Sequence, residues 1–403
     1  MQLRHLSLTN FRNFTRLDID VPGGTVLVVG DNAQGKTSLL EAVYYLATLD
    51  SFQASHDRQL IHFLAAREPL AVARIVAGFQ RGEEIHRLEV RIIQETNGYN
   101  GSAHVRKEVL LDEVKLKTSE AVGEFKAVLF LPQMLRVIEG APEERRRYLN
   151  LVLGQVQSQY SAVLAEYTKG LNQRNALLKQ LAERQGDASQ LDYWDELIAS
   201  SGAQLIQARI RAIQELERLA ARLHRELTNS SEILRLNYQP AYDPLPQMPG
   251  QYLLPVDMPV DRSGLSLESI RQGFREKLAQ VRFEDIARGS TALGPHRDEL
   301  RFLSNRVDLG DFGSRGQVRT AMLALKLAEV IWIKEKTGHD PVLLLDEVLA
   351  ELDVHRRIDL LSRLATVDQA LLTTTDLDLF DPEFVRKATL WQVVGGRLTA
   401  NVS

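Results

Sequence analysis

The chain has 403 residues, of which 44% are hydrophobic and 25% charged, a balance typical of a globular protein with room for two or three domains. Its 49 Lys and Arg residues against 53 Asp and Glu residues give a formal net charge of -4, so any DNA contact must come from a local basic patch rather than a global field. The absence of cysteine excludes disulfides and thiol catalysis, and without a signal peptide or a membrane-length apolar run we expect a cytoplasmic protein with no membrane partner.

The first part of the chain, from Leu3 to about Lys117, is predicted to contain short β-strands around one helix. The segment RLEVRII alternates apolar and polar residues, which indicates a strand with one buried face. The apolar run TVLVVG predicts a strand that ends at Gly30, and the apolar positions of KTSLLEAVYYLA recur at helical spacing. The order of strand, glycine-rich loop and helix is typical of a phosphate-binding loop.

The loop itself, GDNAQGKT, matches the P-loop pattern G-x-x-x-x-G-K-[ST]. Its glycines allow backbone amides to face phosphate oxygens at the positive end of the next helix. We expect Lys36 to neutralise the β- and γ-phosphates of ATP and Thr37 to bind Mg²⁺ through its hydroxyl. The predicted nucleotide contacts in this segment are Gly30, Asp31, Asn32, Ala33, Gln34, Gly35, Lys36, Thr37 and Ser38. The alternative is a glycine turn that only caps a helix.

After residue 142 the composition changes to long amphipathic stretches, which predict a helical domain that ends near residue 236. Interruptions are expected near Gly170, Gly186 and Gly202. Six of the chain's 13 prolines lie from Pro240 to Pro259, which predicts an extended connector because proline suits neither a helix nor a central strand. The basic cluster of Arg145, Arg146 and Arg147 either contacts DNA phosphates or forms a solvated helix face with the glutamates beside it.

The segment FGSRGQ places Ser314, Gly316 and Gln317 at the head of a helix that is predicted to end by Gly338. A hydroxyl and backbone amides at such a head can form an anion site, although an isolated SxGQ pattern is also a common helix cap.

Further along, PVLLLDE predicts a strand buried on both faces that ends in two carboxylates. We expect Asp346 to orient the Mg²⁺ shell and Glu347 to activate water against the γ-phosphate. The alternative is that the strand simply ends in two solvated carboxylates without a role in catalysis. Asp353, six residues after Glu347, either reaches a second nucleotide site across an interface or caps a helix.

The order of P-loop, long insertion, SxGQ helix, LLLDE strand and nearby aspartate is that of ABC-type ATPases, in which the SxGQ of one subunit closes over the γ-phosphate held by the other. We therefore predict an α/β fold, with an ABC-type P-loop ATPase head of mixed sheets around the P-loop helix and an inserted, mostly helical arm domain. The head is expected to comprise residues 1–130 and 291–403. The arm is expected to comprise residues 131–290 and to end in the proline-rich connector.

Sequence blocks spread over nearly the whole chain resemble the RecF family of bacterial recombination-mediator ATPases, relatives of the SMC proteins. The blocks are LxLTNFRNF, GDNAQGKTSLLEA, LFLPQMLRVIEGAPEERRRYLN, LGPHRDEL, GSRGQ, and LLLDEVLAELD followed by TTTD. The length also suits this family, in which a short helical domain replaces the long coiled-coil arm of its relatives.

The resemblance implies further site residues. Arg12 and Asn13 would contact the nucleotide near its base and α-phosphate, and Gln133 of the Q-loop would ligate Mg²⁺ or place water. Thr375 stands where transporter-type relatives carry a histidine that senses the γ-phosphate; its hydroxyl can donate that hydrogen bond but cannot relay a proton through an imidazole. From the residues alone, the alternative for NFRN is an exposed loop between strands, and the alternative for Gln133 is a solvated side chain in a loop.

The same resemblance implies an ATP-controlled DNA clamp in recombinational repair and replication-fork maintenance. ATP held by Lys36 and Thr37 would recruit Ser314 of a second copy, and the homodimer would hold single-stranded, double-stranded or gapped DNA until a slow, DNA-stimulated hydrolysis released it. RecO, RecR and RecA are the implied partners. The alternative is an ABC-type ATPase subunit of another DNA-processing or transport complex, although Thr375 lacks the transporter histidine. A nuclease would need a partner or an added metal domain, and the absence of cysteine excludes a zinc-hook arm.

Overall fold

The computed structural model describes residues 1–96, 103–245 and 260–401. The chain divides into two compact units, which we call the head unit (Met1–Met134 and Glu329–Ser403) and the arm unit (Leu135–Ala328). No helix within the described ranges is both long and apolar enough to cross a membrane.

The helices and strands follow in three groups along the chain. The first part of the head unit contains β1 (Gln2–Phe11), β2 (Phe14–Asp20), β3 (Gly24–Val29), α1 (Lys36–Thr48), β4 (Leu70–Arg81), β5 (Glu84–Thr96), β6 (Ala103–Leu111), β7 (Val114–Leu116), α2 (Thr118–Ala121) and β8 (Ala127–Phe130). The arm unit contains α3 (Arg136–Glu139), α4 (Pro142–Val156), α5 (Tyr160–Ala182), α6 (Leu191–Leu227), β9 (Leu234–Gln239), α7 (Leu267–Gln280), α8 (Arg282–Arg288), β10 (Glu299–Ser304), β11 (Val307–Asp308), α9 (Leu309–Phe312) and most of α10 (Arg315–Thr337). The chain returns to the head unit with β12 (Val342–Asp346), α11 (Val354–Leu364), β13 (Gln369–Thr374), α12 (Pro382–Lys387), β14 (Thr389–Val394) and β15 (Arg397–Asn401).

The first sheet of the head unit is antiparallel, with the strand order β2-β1-β4-β5-β6-β7. The alternation predicted for RLEVRII is confirmed, because Leu88, Val90 and Ile92 of β5 are fully buried. One face of this sheet therefore belongs to the core of the head unit.

The second sheet of the head unit has the order β15-β14-β3-β13-β12-β8, and all its pairs except β14 with β15 are parallel. Every residue of β12 and β13 is buried, as expected for parallel strands covered on both faces. The register sets Asp346 beside Thr373 and Thr374 beside Val29. The carboxyl ends of β3, β13 and β12 thus meet at one edge, where ligands bind in open parallel sheets.

The arm unit contains two long helices, and the interruptions predicted at two glycines within them are wrong. Gly170 lies inside α5 and Gly202 inside α6, whereas Gly186 does separate the two helices. A Cβ on Gly202 would lie 2.7 Å from Cε1 of Phe274, and one on Gly170 would lie 2.2 Å from Cδ2 of Leu197. These glycines allow close packing between helices rather than ending them.

The arm unit also has a small antiparallel sheet of β11, β10 and β9. Because β10 pairs with β9, residues 291–328 pack with the arm, whereas we predicted that the arm ends at residue 290. The predicted connector from Pro240 to Pro259 lies mostly outside the described residues.

Candidate nucleotide-binding site

The P-loop joins β3 to α1 in the head unit. Gly35 caps α1 with a φ of 118°, a left-handed conformation that glycine adopts without strain. A Cβ at this position would also lie 2.6 Å from Nδ2 of Asn13, so glycine is required for space as well. The loop therefore presents the amino end of a 13-residue helix, where backbone N–H groups and the helix dipole favour an anion.

Lys36 lies at the first position of α1 and is only 4% exposed. Its Nζ donates hydrogen bonds to the carbonyl oxygens of Gly30 (2.6 Å) and Asp31 (3.1 Å), and lies 3.2 Å from Oε1 of Glu347. The ammonium group is thus held over the loop backbone and beside the end of β12.

Asp346 ends β12 with its carboxylate facing α1. The Thr37 hydroxyl donates to it at 2.9 Å, and the Thr373 hydroxyl donates to its Oδ1 at 2.6 Å. Burial raises the pKa of Asp346, while these two hydrogen bonds act in the opposite direction. Thr37 and Asp346 therefore bring two hard oxygen ligands together beside the P-loop.

Glu347 follows Asp346 in a left-handed conformation, with a φ of 52°. Its backbone N–H faces Oγ1 of Thr373 at 3.2 Å, which anchors the turn to β13. The Glu347 side chain remains 41% exposed. Two adjacent carboxylates thus have different environments, one buried and one open to solvent.

These groups line a pocket of about 350 Å³, within the range of small-molecule sites. Of the residues predicted from the sequence, the pocket is lined by Asn13, Asp31, Asn32, Ala33, Gly35, Lys36, Thr37, Ser38, Gln133, Asp346 and Glu347. Gln133 reaches it from the turn after β8, the strand that pairs with β12. Arg12, Gly30, Gln34, Asp353 and Thr375 are not among the lining residues.

Two polar residues that sequence reasoning missed belong to the site. Thr373 hydrogen-bonds to both the Asp346 carboxylate and the Glu347 backbone. Thr375, two residues later, is exposed beyond the end of β13. Only the register of β13 against β12 distinguishes these two threonines. Gln53 lines the pocket from the loop after α1. That loop is anchored by Ser51, whose Oγ accepts hydrogen bonds from the N–H groups of Gln53 (3.1 Å) and Ala54 (2.7 Å).

Arg12 makes an ion pair with the P-loop helix. Its Nε and Nη2 donate to the two carboxylate oxygens of the fully buried Glu41, at 2.6 and 2.8 Å, and its Nη1 donates to the Gln59 carbonyl at 3.1 Å. This two-point pair holds the β1–β2 turn, which carries Asn13, against α1. The nucleotide contact of Arg12 stays a prediction.

The SxGQ segment lies in the arm unit, where Ser314 and Gln317 form a reciprocal cap. The Gln317 N–H donates to Oγ of Ser314 at 3.3 Å, and the Ser314 N–H donates to Oε1 of Gln317 at 3.0 Å. A Cβ on Gly316 would meet no atom within 4 Å. The start of α10 is thus preorganised and exposed. In the head unit, Asp353 likewise caps α11, by accepting from the Arg356 N–H at 3.0 Å.

In the arginine cluster at the start of α4, Arg145 is internal, which corrects both alternatives for this residue, whereas Arg146 is half-buried and also pairs with Glu143 on the helix surface. Arg145 is buried and donates to both carboxylate oxygens of Glu299 and to the Gly140 carbonyl. Arg146 donates to the carbonyl of Asp298. Arg147 is the exposed member of the cluster.

The block LGPHRDEL forms the polar core of the arm unit. Asp298 accepts from Arg209 (2.7 Å) and from the Ala241 N–H (3.0 Å). His296 lies 3.1 Å from the Thr291 carbonyl through Nε2 and 2.7 Å from the Tyr167 hydroxyl through Nδ1. Burial lowers the pKa of His296 to about 4, so Nε2–H donates to the carbonyl and Nδ1 accepts from the tyrosine. These contacts give the block a structural role.

The donor set in the head unit fits a nucleotide and a hard cation. Lys36 and the amino end of α1 supply positive charge for phosphates, and Thr37 with Asp346 supplies oxygen ligands. Mg²⁺ in proteins is commonly held by one or two carboxylates together with substrate phosphates, which matches this set.

Comparison with known proteins agrees with this geometry. The family model for the RecF/RecN/SMC N terminal domain matches residues 2–383. The DNA replication and repair protein RecF of Roseiflexus castenholzii is 38% identical, with 99% of each chain covered, and that of Chloroflexus aggregans is 39% identical, with 99% of this chain and all of the relative covered.

Solved structures give the same result. The recombination mediator protein RecF with ATPrS, described as part of the RecFOR pathway, matches with a TM-score of 0.82 and 28% identity over 99% of this chain and 98% of that chain. An SMC head bound to the C-winged helix domain of ScpA matches with a TM-score of 0.51 and 14% identity over 100% and 97% of the two chains, a likeness of fold alone. The predicted ABC-type ATPase head is thereby confirmed.

Proposed function

The chain belongs to the RecF/RecN/SMC N-terminal domain family, as a member of its RecF branch, and we propose that it is a DNA replication and repair protein whose DNA binding is controlled by ATP. The observation that carries the proposal is the meeting of Lys36, Thr37, Asp346 and Glu347 at one pocket of the head unit. A phosphate-binding loop, a buried carboxylate and a solvent-accessible carboxylate are the parts that ATP binding and hydrolysis require.

Each residue takes a role that follows from its surroundings. Lys36 and the amino end of α1 hold the phosphates, while Thr37 and Asp346 would hold Mg²⁺, which would neutralise charge on the phosphates. Glu347 takes the proton of the attacking water because its carboxylate is open to solvent. Gln133 orients that water from the turn after β8, and Asn13 contacts the nucleotide at the pocket wall.

We infer that one chain supplies only half of the complete site. The capped start of α10, with Ser314, Gly316 and Gln317, would close over the γ-phosphate held by a second copy, and Asp353 would reach across the same interface. The ATP-bound homodimer would hold single-stranded, double-stranded or gapped DNA in the cytoplasm. A weak, DNA-stimulated hydrolysis would release it, and the dimer would support RecA loading with RecO and RecR.

The test is DNA binding by the wild type and Lys36→Met, each with and without ATP and Mg²⁺. We expect ATP to tighten wild-type binding to gapped DNA about tenfold, within the usual range of allosteric coupling, and to leave Lys36→Met unchanged. Lys117→Met, at an exposed lysine of the same unit, is the control and should behave as the wild type. Wild-type binding that is indifferent to ATP would contradict the proposal.

A further inference from the structure

The carboxyl end of β14 runs beside the P-loop. β14 pairs in parallel with β3, with Trp391 opposite Val28 and Gln392 opposite Val29, so the next residue of β14 lies beside Gly30. A Cβ on Gly30 would be only 2.4 Å from the carbonyl oxygen of Val393. The first glycine of the motif is therefore required by its close contact with this strand.

The turn between β14 and β15, residues 395–396, also hydrogen-bonds to the P-loop. We call it the hairpin turn. The Gly395 N–H donates to Oε1 of Gln34 at 2.6 Å, and the Gly396 N–H donates to the Gln34 carbonyl at 3.0 Å. Both glycines have positive φ, 57° and 71°, so successive N–H groups of the turn reach the same residue. Gln34 does not line the pocket, and its side-chain oxygen is engaged with the turn instead.

Gly396 also packs against Asn13. A Cβ on Gly396 would lie 2.4 Å from the Asn13 carbonyl oxygen, whereas a Cβ on Gly395 would meet no atom within 4 Å. The side chain of Asn13 lies against Gly35 at the other end of the loop. Asn13 is therefore confined between the P-loop and the hairpin turn.

We propose that the hairpin turn is a positioning element of the nucleotide site, with Gln34 and Gly396 as positioning residues that hold the P-loop and Asn13 in the geometry that binds phosphates. The turn touches neither the pocket nor, by this proposal, the nucleotide, and it acts only through the loop. The inference rests on the proposed ATP binding and adds a support that is more than 350 residues from the P-loop along the chain.

The test compares Gly396→Ala with Gly395→Ala in the full chain. The two changes are chemically identical and both occur at positive φ, but only Gly396→Ala forces a methyl group onto the Asn13 carbonyl. We expect Gly396→Ala to weaken ATP binding about tenfold, because the added methyl group would displace Asn13 and the P-loop beside it, and Gly395→Ala to stay within about threefold of the wild type. Fluorescent ATP titration measures both, and thermal unfolding without nucleotide shows whether either variant is misfolded.

A second pair keeps the test decisive if Gly396→Ala proves unstable. Gln34→Met removes the acceptor for the Gly395 N–H at similar size and without adding charge to the loop. Gln392→Met, the same change at an exposed position of β14, is its control. We expect Gln34→Met to weaken ATP binding about fivefold and Gln392→Met to bind ATP as the wild type does, because a neutral hydrogen bond contributes about 1 kcal/mol. A folded Gly396→Ala that binds ATP as Gly395→Ala does, or a Gln34→Met that binds ATP as tightly as Gln392→Met, would overturn the positioning role.

Failure of the positioning role can be distinguished from failure of the proposed function. Wild-type protein that binds ATP without any change in its DNA affinity contradicts the proposed function alone. Equal ATP affinities of the two alanine variants contradict the positioning role alone.

Discussion

Asp346 illustrates how a buried residue with a proposed role in cation binding can oppose folding. Its carboxylate is almost fully buried, and two threonine hydroxyls and the nearby Lys36 only partly replace the water it has lost. Burial raises the pKa of Asp346, so folding shifts this group toward the protonated acid relative to the unfolded chain, whereas the proposed cation binding needs the charged form. Well below the pKa of an unfolded Asp, about 4, the carboxyl group is protonated in both the folded and the unfolded protein. As the pH rises from there through the raised pKa of the folded protein, the free energy of unfolding decreases.

Asp346→Asn should therefore separate stability from activity. We expect at least a 100-fold loss of ATP hydrolysis, because a charged cation ligand is removed, together with a higher unfolding temperature than the wild type at pH 7.5. The gain should shrink as the pH falls toward 4, where an unfolded Asp is about half protonated and Asp346 in the folded protein is more fully protonated. Unfolding temperatures measured from pH 4 to 8 check this. Glu347→Gln is the control, since its more exposed carboxylate should give no comparable gain; an Asp346→Asn variant less stable than the wild type at pH 7.5 would refute the argument.

At the scale of elements, the packing of α6 in the arm unit depends on Gly202, which two aromatic rings approach. A Cβ on Gly202 would lie 2.7 Å from the ring of Phe274 and 3.1 Å from that of Tyr167. Alanine is the better helix former by about 1 kcal/mol, yet overpacking a core costs about 1–3 kcal/mol. The packing cost should win at this site.

We expect Gly202→Ala to lower the free energy of unfolding by about 1–2 kcal/mol, which chemical denaturation measures. Gly316→Ala is the matched change, because it also lies in a helix but its Cβ meets no atom within 4 Å. That variant should be as stable as the wild type, or up to about 1 kcal/mol more stable. If Gly202→Ala were the more stable of the two, the close-packing explanation would be wrong.

At the start of α10, the two capping residues belong to the same motif that we propose contacts a second copy. Ser314 and Gln317 satisfy each other's backbone N–H groups, which fixes the helix start without any ligand. Because this helix start is already ordered, little conformational entropy is lost when it binds an anion. The cap and the proposed contact to a second copy are therefore compatible roles of one motif.

For the whole molecule, the central prediction concerns oligomeric state. Under the proposed sharing of sites, one P-loop and one SxGQ helix start per chain would form two complete sites only between two copies. We expect the wild type to sediment as a dimer with ATP and Mg²⁺ and as a smaller species without ATP. Ser314→Arg should stay monomeric under both conditions, because a long charged side chain would occupy the closing surface.

Ser314→Thr, which keeps the capping hydroxyl, should dimerise as the wild type does. At a protein concentration at which the wild type is also monomeric, the ATP affinity of Ser314→Arg should match that of the wild type, since the P-loop belongs to the head unit and Ser314 to the arm unit. A wild type that remains monomeric at saturating ATP, or a Ser314→Arg variant that binds ATP more weakly than the monomeric wild type, would argue against the shared site.

The sequence by itself determined the features whose chemistry is contiguous in the chain. The P-loop connects a strand to the helix that Lys36 begins, and Asp346 ends a buried strand that Glu347 follows, because the phosphate-binding turn and the apolar run are each encoded within about ten neighbouring residues. The assignment of the SxGQ helix start and the ABC-type head follows from the order of such local blocks.

Only the tertiary structure decided which distant residues meet them. Thr373 rather than Thr375 faces Asp346 because of the register of β13, Gln53 reaches the pocket because Ser51 anchors its loop, and the hairpin turn at Gly395 and Gly396 meets Gln34 because β14 pairs with β3. Gly170 and Gly202 lie inside helices, and glycine stands there because side chains elsewhere in the chain leave no room for a Cβ. Propensity and spacing describe a residue's neighbours in sequence, whereas these outcomes depend on neighbours in space.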